Sequence, residues 1–181
     1  MSRKANQILS SYPNPCFVET GTQDGHTLQS SIDIGFQEIH SIELDPKLYK
    51  KAAQRFIHYT NVTIYEGDSK EILPKILSRV DTQITFWLDA HYFARSREYR
   101  HSGPLVYELQ CIQQHKRNDH TILIDDLNRI KDFGLTRKKL IRYLQAINKN
   151  YKIFRHMINN KETKVLVANI QKVNPNSFIS S

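Results

Sequence analysis

Short apolar runs alternate with longer segments of helical periodicity along most of the chain. The short runs are rich in β-branched and aromatic residues, whereas the segments between them place apolar residues three or four positions apart. This alternation is typical of a parallel sheet that carries helices on both faces. The predicted parallel strands are 16–19, 39–43, 62–65, 84–88 and 121–124.

The last part of the chain has a different pattern. A predicted helix near 136–148 is followed by two apolar runs, 151–155 and 164–170, with Asn159-Asn160-Lys161 between them. A polar, Asn-rich turn between two such runs is typical of an antiparallel hairpin. We therefore predict an α/β fold of the Rossmann-like type, a three-layer sandwich around a mostly parallel seven-stranded sheet with an antiparallel C-terminal hairpin.

Two of the connecting helices have recognisable starts. Asp45-Pro46 combines an acidic N-cap with Pro at the first helical position, and it predicts a helix over about 47–58. Asp24 is likewise predicted to cap a helix over about 25–34. A further helix is predicted over about 69–80.

The chain is long enough for one domain with a single core. It has 181 residues, 39% of them apolar, and it contains no repeat, low-complexity tract or linker. We predict one domain over 1–181, with 1–15 as an N-terminal extension and 172–181 as a loose tail. Since 1–15 is polar and no apolar run approaches the length of a membrane span, neither a signal peptide nor a membrane segment is expected.

Charge and cysteine content narrow the setting. The 26 basic residues exceed the 18 acidic ones, and the formal net charge of +8 admits anionic partners such as phosphates, carboxylates or nucleic acid. Cys16 and Cys111 have neither CxxC spacing nor a His/Cys cluster near them in sequence. Both are predicted to be small apolar residues in a reducing compartment, without structural zinc. The expected location is cytoplasmic, and the oligomeric state is left open, a homodimer included.

Acidic residues recur where the predicted parallel strands end. Each of these strands ends in a carboxylate or is followed by one within a few residues. Because ligands bind at the carboxyl ends of the strands in an open α/β sheet, these positions predict a binding site. The residues are Glu19, Glu43, Asp68, Asp89 and Asp125.

The segment between the first strand and its helix predicts a nucleoside site. It reads Glu19-Thr20-Gly21-Thr22-Gln23-Asp24-Gly25, and its glycines allow positive φ and a close approach of backbone to ligand. The GxGxxG spacing of a dinucleotide site, in which pyrophosphate contacts the helix N-terminus, is absent. Glu19 would repel a pyrophosphate, but it suits a ligand that carries cationic groups.

Two later acids fit the same ligand. Glu43 closes the second strand, where a carboxylate can accept hydrogen bonds from both ribose hydroxyls. Asp68 follows the third strand, where it can accept a hydrogen bond from an adenine amino group. Either acid can alternatively be a helix N-cap. Three matching acids at three successive strand ends favour the nucleoside site.

Four segments resemble successive motifs of class I S-adenosylmethionine-dependent methyltransferases. They read FVETGTQDGHT, SIELDP, YEGDS and FWLDAHY, and the resemblance extends over 17–126. In the first motif Thr22-Gln23-Asp24 stands where the commoner form has alternating glycines. The resemblance implies S-adenosylmethionine as the cofactor. The implied contacts are Glu19, Thr20, Gly21 and Gly25 at its methionine end, Glu43 at the ribose, Asp68 and Ser69 on the adenine side, and Asp89.

The acids after the fourth and fifth strands predict a metal site. Asp89 follows one strand and Asp125-Asp126 follows its neighbour, and neighbouring strands lie about 5 Å apart. Three carboxylates suit Mg²⁺, Ca²⁺ or Mn²⁺. A metal that chelates two substrate oxygens lowers the pKa of a hydroxyl group. The alternative is that each acid only caps a turn or hydrogen-bonds to a local loop.

This arrangement resembles the catechol-type and macrolide-sugar (macrocin-like) O-methyltransferases, and the resemblance implies that Asp89, Asp125 and Asp126 hold magnesium. His91 is the candidate base, because the unperturbed pKa of histidine lies near working pH. Catechol-type enzymes place a lysine three residues after the corresponding acid, and here that position is Tyr92. His91 can alternatively be a metal ligand or a packing residue.

A basic segment after the fourth strand would border the methyl acceptor. It contains Arg95, Arg97, Arg100 and His101. Arginine recognises phosphate or carboxylate through a fixed fork of donors. A solvated basic loop is the alternative. The candidate substrate contacts are His91, Tyr92, Arg95 and Arg97.

The combined prediction is metal-assisted O-methyl transfer from S-adenosylmethionine to a small hydroxylated molecule, with sugars and anionic compounds as candidates. A nucleic-acid methyltransferase is the main alternative, and the basic charge favours it. Against it, Asp89-Ala90-His91-Tyr92 replaces the Asn/Asp-Pro-Pro-aromatic stretch typical of enzymes that methylate base amino groups. The non-enzymatic alternative is a nucleoside- or RNA-binding module on the same fold.

Overall fold

The computed structural model describes residues 3–90, 103–133 and 135–170. Within them the chain forms a seven-stranded sheet whose strand order is β3-β2-β1-β4-β5-β7-β6. The first five strands in the chain are parallel, and β7 runs antiparallel to both β5 and β6. The strands are β1 (Cys16–Thr20), β2 (Glu38–Glu43), β3 (Val62–Glu66), β4 (Ile84–Leu88), β5 (Thr121–Ile124), β6 (Lys152–Ile158) and β7 (Lys161–Asn169). The predicted α/β fold with its antiparallel hairpin is confirmed.

Helices connect the parallel strands as the alternating pattern predicts. Two elements were not predicted: the first helix, which lies inside the segment expected to be an N-terminal extension, and a 3-10 helix at Leu127–Phe133. The predicted helices over 47–58 and 69–80 end earlier, at Arg55 and Leu77. The helices are α1 (Arg3–Leu9), α2 (His26–Ile34), α3 (Pro46–Arg55), α4 (Ser69–Leu77), α5 (Leu105–Gln114) and α6 (Arg137–Ile147).

The core consists of two apolar layers separated by the sheet. Side chains alternate between the two faces of a strand, so Phe17 and Val18 of β1 enter different layers. The layer with Phe17 contains apolar residues of α1, α2 and α3, and the layer with Val18 contains those of α4, α5 and α6. Ile8 and Leu9 of α1 are fully buried, so the first helix is part of the packed domain. No helix in the described ranges is long and apolar enough to cross a membrane.

The two predicted acidic helix caps have different outcomes. Asp45 is confirmed as the N-cap of α3, where its side chain accepts hydrogen bonds from the backbone N–H groups of Lys47 and Leu48 at 2.7 and 3.2 Å. The prediction for Asp24 is wrong. The N-cap of α2 is Gly25, in a left-handed conformation and with no side-chain cap. The turn after β1 is one residue longer than the Asp24 cap requires.

Candidate active site

The carboxyl ends of β1, β2, β4 and β5 lie side by side and hold the predicted acids. Backbone hydrogen bonds fix the first residues after the strands. The N–H of Gly21 donates to the carbonyl of Ile42 at 2.9 Å, and the N–H of Asp89 donates to the carbonyl of Thr20 at 3.1 Å. The N–H of Asp125 donates to the carbonyl of Leu88 at 3.2 Å. The strand ends therefore form one continuous edge.

Gly21 permits the close approach of two strand ends. Its φ is 90°, a conformation that side-chain-bearing residues avoid. A Cβ atom at this position would lie 2.9 Å from the carbonyl oxygen of Asp89, closer than real Cβ atoms come. Only glycine lets the β1 turn pass the end of β4 at this distance.

Glu19 is a buried carboxyl group at the end of β1. It is 1% exposed, and its Oε2 accepts a hydrogen bond from the Ser41 hydroxyl at 2.6 Å. The Ser41 hydroxyl also lies 2.6 Å from that of Thr22, so three side chains form a chain. Burial raises the pKa of Glu19 to about 8, and the negative charges of Asp89 and Glu43 add to this rise. A cationic ligand group beside Glu19 would reverse it.

Glu43 is held in a single orientation at the end of β2. It is 5% exposed. Its Oε2 accepts from the backbone N–H of Gln23 at 2.7 Å, and its Oε1 accepts from the N–H of Asp45 at 2.9 Å. A carboxylate has about four acceptor positions, so these two bonds leave capacity for two further donors. Two ribose hydroxyls are a pair of donors of this kind.

The start of α4, where the sequence predicts contacts to adenine, lies beside a buried acid that the sequence analysis missed. The side chain of Asp68 caps α4 by accepting from the N–H of Lys70 at 2.9 Å. The Ser69 hydroxyl donates to Oε1 of Glu108 at 2.6 Å. Glu108 is 1% exposed, and burial, with a contribution from the charge of Asp68, raises its pKa to about 7. The signal was present, because position 108 continues the apolar helical spacing of Leu105, Leu109 and Ile112.

The acids after β4 and β5 interact electrostatically. Burial raises the pKa of Asp89 to about 7, and the charges of Asp125 and Asp126 raise it further. Oδ1 of Asp125 accepts from the N–H of Asp126 at 2.7 Å and lies 3.4 Å from Nζ of Lys4. The sequence analysis missed Lys4, since nothing in the pattern of 1–15 predicts that α1 brings an ammonium group to the strand ends.

The three aspartates do not form a tight ligand group in this structure. Among the residues it describes, the one set of three His, Cys, Asp or Glu residues whose ligand atoms all lie within 4.8 Å of one another is Cys16, Glu38 and His40. The predicted substrate contacts and base lie outside the described residues. These are His91, Tyr92, Arg95 and Arg97.

No protein-family model and no curated protein sequence matches the chain. Solved structures do match in fold. An S-adenosylhomocysteine-bound methyltransferase of Podospora anserina, PaMTH1, aligns with a TM-score of 0.60 at 12% identity, over 93% of this chain and 77% of that one. The O-methyltransferase TomG of Streptomyces achromogenes, solved with S-adenosylmethionine, aligns with a TM-score of 0.58 at 15% identity, over 93% of this chain and 79% of that one.

Another match comes from a different enzyme. The spermidine synthase of Thermotoga maritima aligns with a TM-score of 0.58 at 14% identity, over 94% of this chain and 57% of that one. The fold alone therefore does not fix the reaction. At the level of fold the predicted resemblance is confirmed: the chain has the Rossmann-like fold of methyltransferases solved with S-adenosylmethionine or S-adenosylhomocysteine.

Proposed function

We propose that the protein is an S-adenosylmethionine-dependent methyltransferase that methylates a hydroxyl group of a small molecule with the help of a divalent metal ion. The observation that carries the proposal is the pair of buried carboxyl groups, Glu19 and Glu43, on either side of the tight turn at Gly21. Glu19 lies near the negative charges of Asp89 and Glu43, and Glu43 accepts hydrogen bonds from two backbone N–H groups.

The donors and acceptors at the strand ends fit the parts of this cofactor. Glu43, held by the Gln23 and Asp45 N–H groups, would accept from the ribose hydroxyls. Glu19 would face the cationic methionine end, together with Thr20 and the turn from Gly21 to Gly25. Asp68 and Ser69, at the start of α4, would lie on the adenine side. When bound, the cofactor supplies a methyl group that its sulfonium makes electrophilic.

The oxygen ligands after β4 and β5 fit a hard divalent cation. Asp89, Asp125 and Asp126 would hold it. Burial and then the charges of Asp125 and Asp126 raise the pKa of Asp89, and a cation would relieve the part due to repulsion. Lys4 already places one positive charge 3.4 Å from Asp125. The ammonium group therefore competes with the metal ion for Asp125, and metal binding would displace it.

The methyl acceptor would bind at the segment that follows Asp89. By sequence position, His91 would take the hydroxyl proton, and Tyr92, Arg95 and Arg97 would bind an acceptor with hydroxyl and anionic groups. A sugar that carries a phosphate or carboxylate is an acceptor of this class. Positioning supplies most of the rate, since the methyl group is already activated.

Formation of S-adenosylhomocysteine tests this proposal. The wild-type protein is incubated with S-adenosylmethionine and one class of acceptor at a time, in the presence of Mg²⁺ or of EDTA. The acceptors are hydroxylated sugars, sugar phosphates, catechols and RNA. We expect turnover of a small hydroxylated acceptor that EDTA abolishes. Asp125→Asn and His91→Ala should each reduce turnover by 100-fold or more, on the order of a lost metal ligand or general base.

His58→Ala is the matched control, because His58 is exposed beyond the end of α3. It should leave turnover unchanged. Turnover that EDTA does not affect would contradict the metal. Methylation of RNA with no small acceptor would favour the nucleic-acid alternative, and tight binding without any turnover would favour a binding module.

A further inference from the structure

A second cluster of chemically active side chains lies at the amino ends of β1 and β2, opposite the carboxyl ends described above. Cys16 is the first residue of β1 and pairs in register with Glu38, the first residue of β2. His40 follows two residues later and pairs with Val18. Because side chains alternate along a strand, Cys16, Glu38 and His40 share one face. Their ligand atoms all lie within 4.8 Å of one another.

The imidazole of His40 is oriented from both sides. Its Nε2 lies 2.9 Å from Oε1 of Glu38, and its Nδ1 lies 3.2 Å from the hydroxyl of Tyr65 on β3. In metal sites a ligating histidine is usually held through its other ring nitrogen in this way. Tyr65 therefore fixes the ring with Nε2 on the side of Glu38.

Two of the three side chains are buried, and the third, Glu38, is open to solvent. Cys16 is fully buried and His40 is 7% exposed, whereas the side chain of Glu38 is 52% exposed. An ion can thus reach the cluster past Glu38. Within the described residues the thiol makes one long hydrogen-bond contact, 3.8 Å from Sγ to the carbonyl oxygen of Phe17.

The donor set identifies the class of ion. One sulfur, one imidazole nitrogen and one carboxylate oxygen suit zinc, whereas the carboxylates after β4 and β5 offer only oxygen ligands and suit hard cations. Two ligands bonded to zinc at about 2.0–2.2 Å in a tetrahedron are separated by roughly 3.4 Å. The 2.9 Å between Nε2 and Oε1 is therefore within a small side-chain movement of that spacing. A thiolate and a carboxylate also neutralise the two charges of the ion.

We propose that Cys16, Glu38 and His40 form a zinc site with water as the fourth ligand, which ties the amino ends of β1 and β2 together. On binding, the thiol proton leaves to solvent and a zinc–sulfur bond forms. Nε2 of His40 gives up the hydrogen it shares with Glu38 and bonds to zinc, and the neutral ring carries its proton on Nδ1, facing the Tyr65 hydroxyl, so no redox change is involved. The site lies about 13 Å along β1 from the nucleotide edge. It is independent of the proposed methyl transfer.

The test uses cobalt as a spectroscopic probe for zinc. The full-length, reduced protein is treated with EDTA, exchanged into metal-free buffer and titrated with Co²⁺, and the thiolate-to-cobalt absorption band is recorded. Zn²⁺ is then added to displace the cobalt. We expect the thiolate band to saturate at one equivalent per chain and to be removed by Zn²⁺, and the melting temperature to rise with free Zn²⁺.

Cys111→Ser is the matched control, since Cys111 is the other free cysteine and has no such neighbours among the described residues. It should keep the band, and Cys16→Ser should abolish it. Glu38→Gln alters a half-exposed side chain and should fold normally, with cobalt affinity at least tenfold lower. Tyr65→Phe should lower affinity by about 10-fold by releasing the imidazole.

Absence of a thiolate band in the wild type, or an equal band in Cys16→Ser, would overturn the proposal. If Cys16→Ser does not fold, unchanged cobalt affinity in Glu38→Gln would overturn it instead. S-adenosylmethionine binding by Glu38→Gln should equal that of the wild type, so failure of the zinc site and failure of the proposed function are separate results.

Discussion

Alanine substitutions at Gly21 and Gly35 separate two ways in which an added side chain destabilises the fold. These are backbone strain at positive φ and steric overlap of the new Cβ atom. Their φ angles are 90° and 91°, so alanine at either position enters the positive-φ region that side-chain-bearing residues avoid. A Cβ at Gly21 would also meet the Asp89 carbonyl at 2.9 Å, whereas nothing lies within 4 Å of a Cβ at Gly35. The difference between the two variants therefore measures the closeness of the β1 turn to the end of β4.

Gly35→Ala should lower the free energy of unfolding by about 1–2 kcal/mol, the cost of the left-handed conformation. Gly21→Ala should lose roughly 1–3 kcal/mol more, because backbone must move to admit the new atom. Urea denaturation of both variants measures the two losses. Equal losses would show that the turn is not packed against β4 as described.

At the scale of single residues, the sequence predicted which side chains lie at the strand ends better than it predicted which other side chains surround them. The positions of Glu19 and Glu43 followed from the strand pattern, and both acids are buried at the predicted edge. Lys4 and Glu108 were missed because each reaches the site from a helix distant in sequence. Tertiary packing, which a one-dimensional pattern does not encode, brings them there.

Four separate elements are joined by a pair of histidines. Nδ1 of His120, just before β5, accepts from the N–H of Ile84 at 3.1 Å, so the proton of the ring resides on Nε2. Nε2 lies 2.9 Å from Nδ1 of His115, whose own Nε2 lies 2.9 Å from the carbonyl of Val80. Nδ1 of His115 also accepts from the backbone N–H of Arg117 at 3.2 Å. The ring of His120 donates once and accepts once, so its hydrogen bonds are satisfied only when it is neutral.

Protonation of His120 should therefore destabilise the fold. Burial, reinforced by His115, lowers the pKa of His120 from 6.5 to about 4. Between these values His120 binds a proton in the unfolded chain but not in the folded chain, so its contribution to stability rises with pH across this window and is lost as pH falls through it. The contribution is up to roughly 3 kcal/mol.

The buried carboxyl groups of Glu19, Asp89 and Glu108, whose pKa values are raised, give the opposite pH dependence in the same window, so the contribution of His120 is measured as a difference between variants. The change in unfolding free energy from pH 4.5 to pH 6.5 should be less favourable in His120→Gln than in the wild type, whereas His58→Gln, at an exposed position, should match the wild type. The same slope in all three proteins would show that His120 is not held neutral.

Element existence was more predictable than element ends. The Asp45-Pro46 start of α3 was correct because a local side-chain bond determines it. Asp24 was assigned the same role, but a left-handed Gly25 begins α2 without a side-chain cap. α1 was not predicted, since Ala5, Ile8 and Leu9 are its three apolar positions and the segment around them is short and polar.

At the scale of the whole molecule the two edges of the sheet have different chemistry. The carboxyl ends of the strands hold carboxylate side chains and tight backbone turns, and the amino ends hold the Cys16, Glu38 and His40 cluster. The sequence predicted the first because strand ends occur in order along the chain. It missed the second because Cys16 and His40 lie on different strands, and their proximity depends on the register of β1 with β2.

The central claim is that the carboxyl edge binds S-adenosylmethionine. Calorimetric titration of the wild-type protein, Glu43→Ala and Glu162→Ala with S-adenosylmethionine and with S-adenosylhomocysteine tests it most directly. Glu162, exposed on the β6–β7 hairpin, is the control. Hydrogen bonds to a charged group contribute about 1.5–3 kcal/mol each, so Glu43→Ala should weaken both ligands by about tenfold or more. Saturable binding in the wild type and Glu162→Ala with this loss in Glu43→Ala is the predicted result. No binding of either ligand by folded wild-type protein would contradict the account.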